Sequence, residues 1–238
     1  MGTDIHAAIE YRTGADEPWQ AVQFRNPWFG KYSDEKELTH WLHIGRNYDL
    51  FSVLGDVRNG HGFGGTVTGD GFEPMSSSRG VPDDISLEAK EVLSNEHSPT
   101  WVTLAEILAY DWTRTTRKVG VVNAKEFEMW DRVKEWNPWP ESWCAAVSGG
   151  WVTNRGWVRN IGNDEMREII ARVVGEKRGS EYAAAIEQLP KSTYTSIEWT
   201  VTYADVAKSI WTEVLPHMLL MGAKHGYGNV RMVMDFDS

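Results

Sequence analysis

The sequence predicts an α+β fold, in which a mixed, largely antiparallel sheet containing the N- and C-terminal strands is packed by several helices. Three observations carry this. Residues 4–11 and 229–236 alternate apolar and polar side chains with the period of two that a strand imposes. Three helix starts place a capping residue three positions before an acid, at Thr103-x-x-Glu106, Asn123-x-x-Glu126 and Thr202-x-x-Asp205. Strands and helices then follow one another without the regular repeat of a parallel βαβ sheet.

In chain order, the first strand sets Ile5, Ala7, Ile9 and Tyr11 on one face and Asp4, His6, Ala8 and Glu10 on the other. RTGAD turns the chain into a second strand, EPWQAVQF, completing a hairpin. SDEKELTHWL, with Ser33 as N-cap, reads as a short helix. YDLFSVLGDV reads as a stronger one, because Leu50, Leu54 and Val57 recur at helical spacing before the turn-forming Asn59-Gly60. Residues 59–80, rich in Gly and Ser, read as a long loop with a short strand at 65–67. Loops of that length are often functional.

Helices are expected at SLEAKEVL and LAEILAYDW, a strand at KVGVV, and a helix from Asn123 to Trp136. WNPWPESW breaks regular structure with two prolines, and GGWVTNRGWV reads as a hairpin. Two helices follow, DEMREIIARVV and SEYAAAIEQL. IEWTVTY is a strand, after which the helix capped by Thr202 is expected to run through Leu215 with a kink at Pro216. NVRMVMDF closes the chain as a strand, with Arg231, Val233, Asp235 and Asp237 on one face. The expectation is one domain, 1–238, with 113–191 as an inserted lobe.

A chain of 238 residues, 41% hydrophobic and 24% charged, has the composition of a globular protein with a sizeable core. Its net charge of -10 argues against wrapping long DNA or RNA, which needs many basic contacts to release counterions. A small anionic ligand needs only a few arginines and backbone N–H groups. The single cysteine, Cys144, offers neither an intramolecular disulfide nor a multi-cysteine zinc site, and reads as core filling. No signal-like or membrane-spanning segment is evident, so the expected setting is cytoplasmic, without a membrane partner. Thirteen tryptophans serve equally as core or as stacking surfaces.

GHGFGG matches G-x-G-x-x-G but follows a helix instead of a strand, which argues against a dinucleotide fold. Arg46, Arg58 and Arg79 flank this segment, together with His61, Phe63 and Ser76 to Ser78, and compose a plausible anion cradle. The competing reading pairs these arginines with nearby acids as loop staples. His97 and Trp101 are expected at the entrance of a capped helix, facing either a ligand or the core. If the terminal strands are neighbours, Asp4, His6, Asp235 and Asp237 converge as candidate metal ligands, or as a structural acid–imidazole pair.

MGTDIH, RNYDLFSVLGDVRNG, RGVPDDIS, HSPTWVTLAEIL and VRMVMDFDS, in that order, resemble an uncharacterised family of bacteriophage and bacterial proteins. Two departures stand out. Thr3 occupies a position where the resemblance implies Cys more often, and Pro99-Thr100 replaces a second His-Ser. A role needing those residues is weakened, a binding pocket less so. The phage setting implies counter-defence proteins that sequester nucleotide-derived immune signals.

The leading expectation is therefore a cofactor-free binder of a small phosphate-bearing nucleotide, acting alone or as a homo-oligomer. Arg46, Arg58 and Arg79 would meet phosphates, with His61 beside them; His97 would contact phosphate or ribose, and Phe63 or Trp101 would stack on a base. The alternatives are a metal-dependent phosphodiesterase using Asp4, His6 and Asp235, and a protein–protein inhibitor.

Overall fold

The computed structural model describes residues 4–31, 36–57, 72–93, 97–144, 152–153 and 156–236. The fold is α+β with a largely antiparallel sheet and several helices. The chain divides into two compact units. Among the described residues, the first comprises 4–57, 72–114 and 202–236, and the second 115–201.

The first unit is built on a four-stranded sheet. Strands β1 (Ile5–Tyr11), β2 (Gln20–Ala21), β5 (His97–Thr103) and β11 (Val230–Phe236) lie in the order β2-β1-β11-β5, all antiparallel. The terminal strands form its centre. Seven residue pairs join β1 to β11, from Ile5 opposite Phe236 to Tyr11 opposite Val230.

Both faces of this sheet are covered. On one, Ile5, Ala7 and Ile9 pair with Phe236, Met234 and Met232, and all six are buried. Helix α1 (Tyr48–Gly55) packs here, with the Phe51 and Phe236 rings 5.2 Å apart. A Cβ at Gly55 would come within 3.2 Å of the Phe236 ring, so the small residue sets the approach. On the other face, Ala8 and Val233 are sealed by Ala89 of helix α2 (Leu87–Val92), with Ile85, Val92 and Trp101 around them.

Local signals place α2 and α3. Ser86 caps α2, accepting from the Ala89 N–H. Thr103 and Glu106 form the full reciprocal capping box that starts α3 (Leu104–Ala109). Thr202 and Asp205 form another, starting α7 (Tyr203–Val206).

Three expectations are corrected. Residues 36–42 are not helical: Leu38–Thr39 form strand β4, paired with β3 (Phe24–Arg25). Asn26 explains why, since its N–H and side-chain amide bond the carbonyls of Glu37 and Lys36, and these non-local bonds outbid a weak helical preference. The helix from Thr202 does not continue with a kink at Pro216. It stops after one turn at Ala207, and helical backbone resumes at Lys208 and runs through a π-helical turn (Ile210–Val214) into α8 (Leu215–His225), with the widened turn placed just before Pro216, which has no N–H to give. His97 and Trp101 lie on a strand, and the helix begins only after Thr103.

In the second unit, β6 (Thr115–Asn123), β10 (Thr193–Thr202) and β9 (Arg159–Asn160) form a sheet ordered β6-β10-β9, with β9 parallel to β10. Helix α4 (Ala124–Val133) is capped by Asn123 and packs with α5 (Asn163–Val173), burying Phe127, Trp130, Met166 and Ile170. β7 (Val152–Thr153) and β8 (Gly156–Trp157) pair antiparallel, and α6 (Gly179–Ile186) precedes β10. Among the described residues, no helix is long and apolar enough to cross a membrane.

Candidate functional site

The β1–β11 register places His6 directly opposite Asp235, on the sheet face that also carries Glu10 and Arg231. Asp235 is fully buried. Two residues before His6, the Asp4 carboxylate is gripped bidentately by Arg46, whose Nε and Nη2 donate to its two oxygens over 2.9 and 2.8 Å. This pair is half exposed, the two side chains retaining 50% and 43% of their accessible surface, which keeps it within reach of an exchanging ligand.

Rings gather beside it. The His6 imidazole stacks on Trp41 at 5.9 Å, Trp41 meets His43 edge-on at 5.4 Å, and His43 meets Trp28 edge-on at 5.7 Å. The Trp41 indole N–H is buried and has no hydrogen-bond partner among the described residues. The Asp4 carboxyl is held below the usual carboxylate range, chiefly by the hydrogen bond from Arg46. Burial opposes this shift, and the charges of Arg46, His6 and His43 reinforce it. One arginine fork thus holds this carboxylate, and the charges of His6 and His43 act on it in the same direction.

Arg79 is engaged elsewhere. Its Nη2 lies 2.8 Å from Glu106, its Nη1 donates to the Trp101 carbonyl, and its guanidinium sits 5.0 Å from the Trp101 ring centroid. Glu106 therefore serves both the Arg79 fork and the Thr103 capping box. Trp101 packs under α2, and His97 stacks on Phe236 at 6.5 Å. Ser76 and Ser78 donate to the carbonyls of Leu54 and Pro99. Arg58, His61, Phe63 and Asp237 lie outside the described residues, as does the strand expected at 65–67.

The expected residues thus separate into two groups, Asp4, His6, Arg46 and Asp235 around one end of β1, and Arg79, His97 and Trp101 on or against β5. Among the described residues, no three His, Cys, Asp or Glu side chains are placed to hold a metal ion. A depression of about 670 Å³ in the same unit is lined by Tyr11, Trp19, Gln20, His40, Glu88 and Lys224, and by none of the expected ligand residues that are described.

Sequence reasoning missed Trp28, Trp41 and His43. The signal was present in THWLH, but reading it as a helix hides that Trp41 and His43 are two apart, and two apart means one face when the chain is extended. Comparison with family models, curated proteins and solved structures returns no match for this chain.

Proposed function

We propose that this chain is a binding protein for a small phosphate-bearing nucleotide, with Arg46 as the phosphate fork and the Trp41, His6 and His43 rings as the surface beside it. The observation that supports this is the convergence of Arg46, His6 and His43 on the single carboxylate of Asp4. Arginine forks bind carboxylate and phosphate with the same bidentate geometry, so Asp4 occupies the place a phosphate oxygen pair would take. The buried indole N–H of Trp41 supplies one further unspent donor. In the phage setting implied by the sequence resemblance, such a protein sequesters a nucleotide immune signal without turning it over.

Calorimetry and thermal-shift measurements with cyclic and ADP-ribose-type nucleotides test this reading. It requires saturable heat and a raised melting temperature with at least one of them, and both signals must weaken in Arg46→Ala. Flat traces across the panel would reject it. His6 opposite Asp235 favours a second reading, a metal-assisted phosphodiesterase, which requires nucleotide turnover in Mg²⁺, Mn²⁺ or Zn²⁺.

A further inference from the structure

We infer that the second unit carries a separate site for a small quaternary ammonium compound, in a cleft of about 270 Å³ walled by Trp130, Trp139 and Tyr182 and edged by Glu141. The proposal is independent of the nucleotide reading, which rests on the first unit.

The sequence signal is WNPWPESW, the proline-broken stretch after α4. Pro138 and Pro140 flank Trp139 and lock their own φ angles, restricting the chain on either side of the indole. Two hydrogen bonds finish the job: the Trp139 N–H donates to Asn137 Oδ1 at 3.3 Å, and Trp130 Nε1 donates to the Pro138 carbonyl at 2.8 Å. The second bond ties the loop to α4. The Trp130 indole and the backbone that carries Trp139 are therefore held before any ligand arrives, which lowers the ordering cost of binding.

Chemistry selects the ligand. Aromatic faces attract cations through their quadrupole, and two of these rings already do so within the fold: Arg132 sits 4.5 Å from the Tyr182 centroid and Lys134 5.2 Å from that of Trp130. Those two charges are compensated, Arg132 by Glu128 and Lys134 by Asp131. Arg132 also lines the cleft but is spent on Glu128, whereas Glu141 has no ion pair among the described residues and feels Lys125 only through space, so the unpaired charge of the lining is negative. Behind it, Glu126 keeps one buried carboxylate oxygen without a hydrogen-bond partner, and the charge of Glu141 acts on it. Rings plus an unspent carboxylate suit a methylated ammonium, which is cationic but has no N–H to satisfy. The volume falls at or below the low end of small-molecule sites, which begin at roughly 300 Å³, and suits one head group better than a nucleotide.

The test titrates the full chain with choline and with its neutral isostere 3,3-dimethylbutan-1-ol, following tryptophan fluorescence and calorimetric heat. Choline is expected to give a saturable change, with the isostere about tenfold weaker. Trp139→Ala should abolish the choline signal and Trp139→Phe should retain part of it. Glu141→Gln, an exposed and conservative change, should weaken choline while leaving the isostere unaffected. Equal binding of choline and the isostere, no saturable signal with choline, or an unaltered choline response in Glu141→Gln would each overturn the proposal.

Discussion

Glu10 and Arg231 face each other across the first and last strands, with Arg231 Nε 2.7 Å from Glu10 Oε2 and both side chains at most 5% exposed. The pair does more than join two strands. The other oxygen of Glu10 accepts from the Ser86 N–H at the start of α2, and Arg231 also reaches Asp84 and lies 4.0 Å from the centroid of the Trp19 ring. The central strands, the approach to α2 and the β1–β2 connection thus meet at one buried ion pair.

Removing one member strands the other's charge in the interior. Arg231→Met should destabilise the protein by about 3–5 kcal/mol, as should Glu10→Ala. The double variant should lose less than the sum of the two. Urea denaturation of the four proteins measures this, and additive losses would show that the pair is not coupled.

The acid limb of stability follows from carboxyls held below their ordinary values. For Glu106, burial alone would raise the value, but hydrogen bonds from Arg79 and Thr103 outweigh it. For Asp84, burial is likewise outweighed by bonds from Arg231 and Trp19. A carboxyl depressed in the folded state binds fewer protons there than in the unfolded chain. Its stabilisation is complete above the unfolded value, about 4, and is lost as pH falls through the lower folded value. Denaturation midpoints measured from pH 6 to pH 2 should fall accordingly. Arg79→Met should lose about 1 kcal/mol at neutral pH and show a shallower acid limb.

Asp4 and Arg46 offer a test that separates a ligand site from a staple. An exposed pair contributes at most about 1 kcal/mol to stability, so Asp4→Asn should barely move the melting temperature. If Asp4 holds the place of a phosphate, the same variant removes the carboxylate charge from the Arg46 fork and should tighten nucleotide binding, by up to about tenfold. Weaker binding in Asp4→Asn, measured by calorimetry, would place Asp4 among the ligand's own contacts.

Gly120, on β6, is a packing position. A Cβ there would stand 2.7 Å from a Trp143 ring carbon and 3.0 Å from the buried Trp199 ring. Gly120→Ala should destabilise the second unit by about 1–3 kcal/mol, because neither rigid ring can give way cheaply. Hydrogen exchange resolved by segment should show the loss in residues 115–201 and spare the first unit.

Residues whose environment lies within a few positions were legible in advance. Alternation alone assigned the faces of β1 and β11, and the capping residues Thr103, Asn123 and Thr202 marked three helix starts that the structure reproduces. These signals are local: side-chain direction repeats every two residues in a strand, and a cap acts within one turn. Residues 36–42 were misread for the complementary reason, since the bonds from Asn26 that hold them extended come from ten residues or more away.

By itself, then, the sequence determined the fold class, the strand faces, most helix starts, and the presence of an acid and an imidazole side by side at Asp4 and His6. Only the tertiary structure decided their partners. It set His6 across from Asp235 and gave Asp4 to Arg46, and it bound Arg79 to Glu106 and Trp101. Charge pairing depends on which groups lie within a few ångströms, and that proximity comes from packing between segments distant in sequence, 42 residues for Asp4 and Arg46 and more than two hundred for His6 and Asp235, which no local pattern encodes.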